Sequence, residues 1–172
     1  MKKIINVLTG EVIAAKETTI LKSAAIGSCV VIAAYDTANK TGALAHVMLP
    51  GASPGKDTFP RTRYADEAIV EMIGMMTRLG TDRENIEVCL VGGANVLQRE
   101  DDTICQAVVD SVIELLHKQN IEIKAKAVGG MERRNVSLDV KKGTIHYTEG
   151  DAGEKLLWET RERSASLVTR VE

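Results

Sequence analysis

The sequence predicts one mixed α/β domain of the α+β class, in which helices cover the faces of β-sheet. Short apolar runs bounded by turn residues indicate strands, and two longer segments with apolar residues every three or four positions indicate helices. The order of elements is strands, helix, strand, helix, strands, which lacks the strict alternation of a doubly wound fold. We expect the domain to occupy residues 1–150. Residues 151–172 are expected to form a C-terminal extension, either a short helix or partly flexible.

Composition and charge narrow the class of function. The chain has 172 residues, of which 44% are hydrophobic and 27% charged, which is typical of a globular domain with its own core. A net charge of −2 gives no electrostatic reason to expect nucleic acid as the main partner. No apolar run approaches the ~20 residues that span a bilayer, and the apolar stretch near the N-terminus is too short for a signal peptide. We therefore expect a cytoplasmic protein without membrane insertion.

The three cysteines are Cys29, Cys89 and Cys105. They are odd in number, far apart and without a C-x-x-C pair, so neither a disulfide framework nor a cysteine-rich zinc site is expected. Cys89 lies in an apolar run and Cys105 in a predicted helix, and both are expected to be structural thiols of the core. We expect no metal and no cofactor, and Cys29 is the candidate reactive thiol.

The first third of the chain predicts strands over 11–15 and 19–23, followed by a hairpin. Gly27 and Ser28 directly precede Cys29, and the β-branched apolar run after Cys29 predicts a strand that is buried on both faces. A turn over 36–42 leads to a second apolar run over 43–51, in which His46 is the one polar side chain. The hairpin therefore places a thiol and an imidazole on neighbouring strands.

A helix is predicted over 62–79, and Gly80 is expected to end it in the left-handed conformation. Its apolar stripe has helical period. The stripe consists of Ala65, Ala68, Ile69, Met72, Ile73, Met76 and Leu79.

The second half of the chain continues with a strand over 86–91, a helix over 102–119, a half-buried strand over 121–128 and a hairpin formed by 136–140 and 144–147. Residues 155–161 are a candidate short helix. Both single strands end on a diglycine, Gly92-Gly93 and Gly129-Gly130, and we expect tight turns there. The apolar side of the second helix is predicted to hold Ile104, Val108, Val112, Leu115 and Leu116.

The register of the first hairpin decides whether Cys29 and His46 can meet. With Cys29 opposite Leu49, His46 would point to the other face of the sheet. With Cys29 opposite Met48, His46 lies on the same face at a diagonal position, ~7–8 Å away at the backbone and within reach of its ring. An imidazole in that position can take the proton of a thiol and so activate it as a nucleophile. Plain core packing of one Cys and one His is the alternative interpretation.

Two further groups would complete such a site. Backbone N–H groups around Gly27, Ser28 and Cys29 can hold the oxyanion of an attacked carbonyl, because glycine lets the backbone approach a substrate closely. A third group usually orients the histidine, and Ser23, Ser28 and Thr41 are the nearby hydroxyls. Sequence spacing alone does not choose among them.

Several stretches resemble the CheD family of chemoreceptor glutamine deamidases over roughly residues 5–147. The Gly-Ser-Cys and Ala-His-Val-Met-Leu-Pro pair, in this order and spacing, is the specific part of the likeness. The matching stretches are Gly27-Ser28-Cys29-Val30, Gly42-Ala43-Leu44-Ala45-His46-Val47-Met48-Leu49-Pro50, Arg63-Tyr64-Ala65-Asp66, Gly92-Gly93-Ala94, and Val128-Gly129-Gly130 with Arg134 and Val136.

The resemblance implies a cysteine hydrolase of chemotaxis that converts selected glutamines to glutamate on the cytoplasmic helices of methyl-accepting chemoreceptors. It also implies two mixed β-sheets packed together with helices outside, a fold similar to that of the cytotoxic necrotizing factor toxin deamidases. A further implied partner is CheC, a phosphatase of the phosphorylated response regulator. Carried over by position, Cys29 is the nucleophile, His46 the general base and Ser23 the third catalytic residue, where the family usually has threonine. Gly27 and Ser28 would bind the substrate.

Two other functions remain open from the sequence. The protein could be mainly a binding regulator of a CheC-type phosphatase, in which the Cys–His pocket grips a helix with little or no catalysis. It could also be a cysteine acyltransferase or protease of unrelated lineage, which would transfer to amines or cleave chains instead of releasing ammonia.

Overall fold

Ten strands and two α-helices make up the described part of this computed structural model, which covers residues 1–55 and 59–161. Short 3-10 helices lie at Arg61–Arg63 and Arg83–Asn85. The helices are α1 (Ala65–Arg78) and α2 (Ile104–Lys118). The strands are β1 (Lys3–Asn6), β2 (Val12–Lys16), β3 (Thr19–Ile26), β4 (Val30–Asp36), β5 (Thr41–Val47), β6 (Glu87–Gly92), β7 (Glu122–Val128), β8 (Arg134–Asp139), β9 (Thr144–Glu149) and β10 (Lys155–Glu159).

The strands form two five-stranded mixed sheets. The first sheet has the order β1-β3-β8-β9-β10, and the second sheet has the order β2-β5-β4-β6-β7. One pair in each sheet is parallel, β1 with β3 and β6 with β7, and the other pairs are antiparallel. The predicted α+β fold with two mixed sheets is confirmed. The likeness to the toxin deamidases stays a prediction.

The second sheet is the middle layer of the molecule, and its central strands are therefore buried on both faces. Every residue of β4 and β5 is buried, as the sequence predicts for the β4 run. Along β4, Val31 and Ala33 pack into the core shared with the first sheet. Val30 and Ile32 pack into the core shared with α1 and α2. A strand covered by a sheet on one face and by helices on the other is apolar on both faces, so polar and apolar residues do not alternate along it.

Helix α1 buries the predicted stripe against the second sheet, from Ala65 to Met76. It begins three residues later than predicted, because the backbone before it is pinned to the end of β5. The carbonyl of Arg63 accepts hydrogen bonds from the N–H groups of Met48 and Leu49, and Tyr64 is held in extended conformation. The helix ends at Arg78, and Gly80 has the expected positive φ of 96°.

Helix α2 differs from its prediction at one position of the apolar face. Ile104 is the first residue of the helix and its surface is 37% exposed, so the expectation that it faces the core is wrong. Cys105 and Val109 are buried in its place, beside Val108 and Val112. Neither α-helix in the described part of the chain has the length and apolar character needed to cross a membrane.

The C-terminal segment is a strand where the sequence indicates a short helix. Residues Lys155–Glu159 form β10, which pairs antiparallel with β9 at the edge of the first sheet. Trp158 stabilises this strand by packing edge-to-face on Tyr35, with ring centroids 6.1 Å apart. Strand β1 was also not predicted as a separate element. The rest of the predicted extension, residues 162–172, lies outside the described residues.

Candidate active site

The β4–β5 ladder has the register that a Cys29–His46 pair requires. Val30 pairs with Val47 and Val31 with His46, so continuing the ladder by one residue puts Cys29 opposite Met48. Cys29 and His46 therefore lie at diagonal positions on one face of the second sheet, ~7–8 Å apart at the backbone. This face is turned toward the first sheet, because Val31 and Leu44 on the same face pack against that sheet.

Strand β3 of the first sheet supplies the hydroxyl that contacts the imidazole. Ser23 Oγ lies 2.8 Å from His46 Nδ1, and both residues are buried, with 2% and 4% of their surfaces exposed. Of the three hydroxyls considered from the sequence, Ser23 is the one hydrogen-bonded to His46. Thr41 lies at the opposite end of β5, five residues from His46.

The hydrogen bonds of Ser23 determine which nitrogen of the His46 ring carries the hydrogen. Ser23 Oγ donates its single hydrogen to the carbonyl oxygen of Val7, at 2.8 Å. It must then accept at its contact with His46, so Nδ1 carries the ring hydrogen. In the neutral ring, Nε2 is consequently bare and able to accept a proton. Val7 was not predicted from the sequence, because a backbone carbonyl leaves no signature in residue types.

Burial keeps both reactive groups uncharged at rest. It raises the pKa of the Cys29 thiol above its ordinary value, an effect partly offset by the backbone N–H of Cys29. Burial also lowers the pKa of His46, although the Val7 carbonyl oxygen acts in the opposite direction. A thiol with a raised pKa beside an imidazole with a lowered pKa is a neutral pair near pH 7. Proton transfer is therefore expected to accompany nucleophilic attack.

The loop that carries Cys29 is tied to the end of β6. Gly93 N–H donates to the carbonyl oxygen of Cys29 at 2.7 Å, and Ala94 N–H donates to that of Gly27 at 2.9 Å. Gly92 has φ +124°, and a Cβ built on it would lie 2.2 Å from the Cys29 carbonyl oxygen. A side chain at this position would thus push the loop away. The first predicted glycine turn therefore supports the loop that carries Cys29.

The amides of this loop are available to a ligand. Within the described residues, the backbone N–H groups of Gly27, Ser28 and Cys29 donate to no other residue. All three residues are half-buried. Such preorganised donors next to a thiol are what an oxyanion requires. Gly27 and Ser28, which are predicted to bind substrate, directly precede Cys29 and have open N–H donors.

His46 is reached from the surface through a cleft of about 570 Å³. The cleft lies between the β1–β2 turn and β3. Its lining consists of Asn6, Val7, Leu8, Thr9, Ala24 and His46.

The other thiols have different surroundings. Cys89 is buried in the middle of β6, and burial raises its pKa to about 12, so it stays a thiol. Cys105 is buried in the first turn of α2. Among the described residues, no group of three or more His, Cys, Asp or Glu side chains is arranged to hold a metal ion.

Comparison with known proteins points to one family. The family model described as CheD chemotactic sensory transduction matches residues 48–149. The matched region begins two residues after His46. A "Probable chemoreceptor glutamine deamidase CheD" of Chlorobium luteolum is 40% identical over 151 residues, covering 88% of this chain and 75% of that protein.

Two further relatives have the same description. The "Chemoreceptor glutamine deamidase CheD" of Thermotoga maritima is 31% identical over 156 residues, covering 91% of this chain and 97% of the relative. The "Probable chemoreceptor glutamine deamidase CheD" of Archaeoglobus fulgidus is 35% identical over 142 residues, covering 81% and 88% of the two chains.

Proposed function

Because the chain belongs to the CheD family, we propose that it is a chemoreceptor glutamine deamidase with a Cys–His thioester mechanism. The observation that carries the mechanism is the buried Ser23–His46 hydrogen bond on the sheet face that also holds Cys29. That bond leaves Nε2 as the free nitrogen of a fixed imidazole. Such a ring is a general base for the neighbouring thiol.

In the first half of the reaction, His46 Nε2 takes the proton of the Cys29 thiol as Sγ attacks the side-chain amide carbon of a glutamine. The carbonyl oxygen becomes an oxyanion, and the open N–H groups of Gly27, Ser28 and Cys29 are its donors. The protonated imidazole then gives its proton to the amide nitrogen. The C–N bond breaks, ammonia leaves, and a thioester joins Cys29 to the substrate.

The second half repeats the proton transfers with water in place of the thiol. His46 Nε2 removes a proton from water, whose oxygen attacks the thioester carbon. The C–S bond breaks and the proton returns to Sγ, which releases a glutamate side chain and restores the resting enzyme. His46 lines a cleft that opens to the surface, and we propose that water enters the site there.

The proposed product explains how a small chemical change alters a receptor. Each turnover replaces a neutral amide by a carboxylate and adds one negative charge to a receptor helix. Like charges on neighbouring helices repel, so the equilibrium between two packings of a helical bundle shifts. We propose that this chemistry takes place on the cytoplasmic part of methyl-accepting chemoreceptors.

Exposed apolar side chains lie on the loops at the Cys29 end of the molecule. Leu8 follows Val7, Met48 is opposite Cys29 in the extended ladder, and Met131 and Leu97 follow the two diglycine turns. A glutamine that reaches Cys29 brings its helix against these loops. We propose that they contact apolar side chains on either side of the glutamine. Leu97→Asp should then raise KM for a receptor fragment, and an unchanged KM would remove Leu97 from the contact.

Ammonia release from a purified receptor cytoplasmic fragment tests the proposed function, with Cys29→Ser measured in parallel. We expect release from the wild-type protein and a loss of about a thousandfold or more in the variant, with the same thermal unfolding midpoint. Release that persists in Cys29→Ser would refute the mechanism. Absence of release from the wild type would refute the enzyme assignment. Capture of a CheC-type phosphatase by both proteins would then favour the role of a binding regulator.

A further inference from the structure

Strand β3 contains a bulge between the residue that contacts the imidazole and the loop that carries the thiol. Ser23 pairs with Val136 and Ile26 pairs with Arg134, so three steps along β3 correspond to two along β8. The extra residue leaves Ala25 with φ +53°, an uncommon backbone conformation for a residue with a side chain. A bulge changes the direction of the chain beyond it, and here it sets the path toward Cys29.

Asn135 is the β8 residue that faces this bulge. Its Oδ1 accepts a hydrogen bond from Ala25 N–H at 2.9 Å, which satisfies a donor that the bulge removes from the ladder. Its Nδ2 donates to Thr148 Oγ1 at 2.9 Å, so the amide is oriented from the far side as well. Asn135 is exposed and adds little to the core. Its two bonds fix the loop at the Ala25 end.

Arg134 supports the same loop at the other end. Its side chain is buried, and Nη1 donates to the carbonyl oxygens of Gly129 at 2.8 Å and Gly92 at 3.3 Å. Nε donates to Glu149 at 3.2 Å, which pairs the buried charge. Gly92 leaves no room for a Cβ against the Cys29 carbonyl. Arg134 therefore holds the surface on which the Cys29 loop rests.

We propose that Arg134 and Asn135 are positioning residues that together fix the nucleophile loop from both ends. Neither side chain touches the reacting atoms. They act by holding the backbone that directs Cys29 Sγ toward His46 and aligns the open amides of Gly27 and Ser28. The importance of this role for turnover rests on the proposed deamidase function. Its effect on the thiol can be measured without any receptor.

Asn135→Ala is the most direct test, because it removes one acceptor from an exposed position. We expect kcat for ammonia release to fall between about tenfold and a hundredfold, with KM nearly unchanged, since a small displacement of a reacting atom has effects of this size. Asn135→Asp keeps an oxygen for Ala25 N–H and should recover most of the rate. Equal losses in both variants would show that the contact with Ala25 is not what matters.

Alkylation of Cys29 by iodoacetamide supplies the readout that is independent of substrate. A loosened loop exposes the thiol and removes part of the burial that raises its pKa, so the alkylation rate near neutral pH should rise several-fold while kcat falls. Mass spectrometry identifies which cysteine is modified. Cys89 and Cys105 are buried and should react more slowly than Cys29. Opposite changes in the two rates are not expected from a residue that only contributes stability.

Arg134→Lys tests the other end of the loop, since lysine keeps the charge and loses the forked geometry. The matched control is Arg133→Lys, the same exchange at the exposed neighbouring residue, which should change neither rate. Alkylation in Arg134→Lys and Asn135→Ala identical to that of Arg133→Lys would overturn the inference. A change in alkylation with a wild type that releases no ammonia would uphold the positioning role and refute the proposed function separately.

Discussion

The two ends of β4 hold their polar groups in opposite ways. At its C-terminal end, Asp36 is fully buried and its carboxylate is satisfied by the turn that follows it. At its N-terminal end, the Cys29 loop obtains its geometry from strands that are distant in sequence. The difference separates a part of the fold that contributes stability from a part that is available for chemistry.

The Asp36 end is closed by local hydrogen bonds. Oδ1 accepts from the N–H groups of Ala38 at 2.9 Å and Asn39 at 3.3 Å, and Oδ2 accepts from Asn39 Nδ2 at 2.7 Å. A carboxylate that receives three hydrogen bonds from two residues of the following turn has little capacity left for a ligand. All three hydrogen bonds are local in sequence, so this end does not depend on distant strands.

The Cys29 end keeps its donors open because its support comes from elsewhere. Gly93 and Ala94 bind the carbonyl groups of the loop, and Asn135 binds the N–H of Ala25. The N–H groups of Gly27, Ser28 and Cys29 donate to no other described residue, as the proposed oxyanion site requires. A site in which the backbone is held through its carbonyls can present its N–H groups to an oxyanion without rearrangement. Functional geometry at this end thus depends on long-range contacts.

Among substitutions around Cys29 that leave the thiol in place, His46→Gln should have the largest effect. Glutamine can still contact Ser23 but cannot take the thiol proton, so kcat should fall by about a hundredfold to ten-thousandfold. The thermal unfolding midpoint should change much less than for a substitution that empties the core. Ammonia release and a melting curve measured on the same sample check both points. A variant with near-normal kcat would show that another base activates Cys29.

Gly92→Ala tests the close contact beneath the Cys29 loop. Its Cβ would lie 2.2 Å from the Cys29 carbonyl oxygen and 2.6 Å from Ile26 Cγ2, so the loop must move. We expect kcat to fall by up to about a hundredfold and the free energy of unfolding to fall by about 1–3 kcal/mol.

Gly80→Ala is the matched control for backbone strain in this experiment. Gly80 also has a positive φ, of 96°, but its nearest neighbour is the flexible end of Lys16 at 3.9 Å. The Gly80→Ala variant should lose about 1 kcal/mol of stability and keep an unchanged kcat. Similar kcat losses in the two alanine variants would argue against a specific effect at Cys29.

Asp36→Ala probes the opposite end of β4 and should affect stability instead of catalysis. Removing the buried carboxylate takes away the acceptor of three hydrogen bonds from Ala38 and Asn39, at a cost of about 1–3 kcal/mol. We expect a lower midpoint in urea unfolding and an unchanged kcat below the melting temperature. A loss of kcat in folded Asp36→Ala protein would mean that the two ends of β4 are coupled.

Ser23→Ala should have a smaller effect on turnover than loss of the base itself. Alanine removes the acceptor that holds the Nδ1 hydrogen, so the ring can adopt the other tautomer and orientation. A loss of roughly tenfold in kcat is expected from weakened general-base catalysis. Ser23→Thr keeps the hydroxyl and restricts its rotation, so its kcat should equal or exceed that of the wild type. Ser23→Thr falling with Ser23→Ala would show that the pocket rejects the added methyl group.

The hairpin and the two helices were predictable because their patterns are local. The β4 run, the His46 strand and the stripe from Ala65 to Met76 show their burial directly in residue type and spacing. The sequence also narrowed the hairpin to two registers and the orienting hydroxyl to three residues. The register was settled by the β4–β5 ladder. The resemblance selects Ser23 among the three hydroxyls, and its contact with His46 requires β3 to pack across the second sheet, which no local pattern specifies.

The parts that the sequence did not predict depend on backbone atoms or on one distant contact. Ser23 donates to the carbonyl of Val7, and Asn135 accepts from the N–H of Ala25, so neither partner is visible as a side-chain signal. The short sequence at 155–159 has no clear period, so its pattern does not predict the strand that forms there. The strand is stabilised by its pairing with β9 and by Trp158 packing on Tyr35, more than a hundred residues away.

The smallest expected effect is the position of the acid limb in the pH profile of kcat/KM, which reports groups of the free enzyme. His46 must be neutral to act as a base, and burial lowers its pKa from the ordinary value of 6.5. Because the ring stays neutral to lower pH, the pH at which kcat/KM is half-maximal on the acid side should lie below 6.5. The unfolded chain binds the proton at the ordinary value, so stability should decline as pH falls through this range. His46→Gln should lack both the limb and this share of the decline. An acid limb with its midpoint at or above pH 6.5 would mean that the folded protein stabilises His46 as a cation. Burial of the imidazole predicts the opposite.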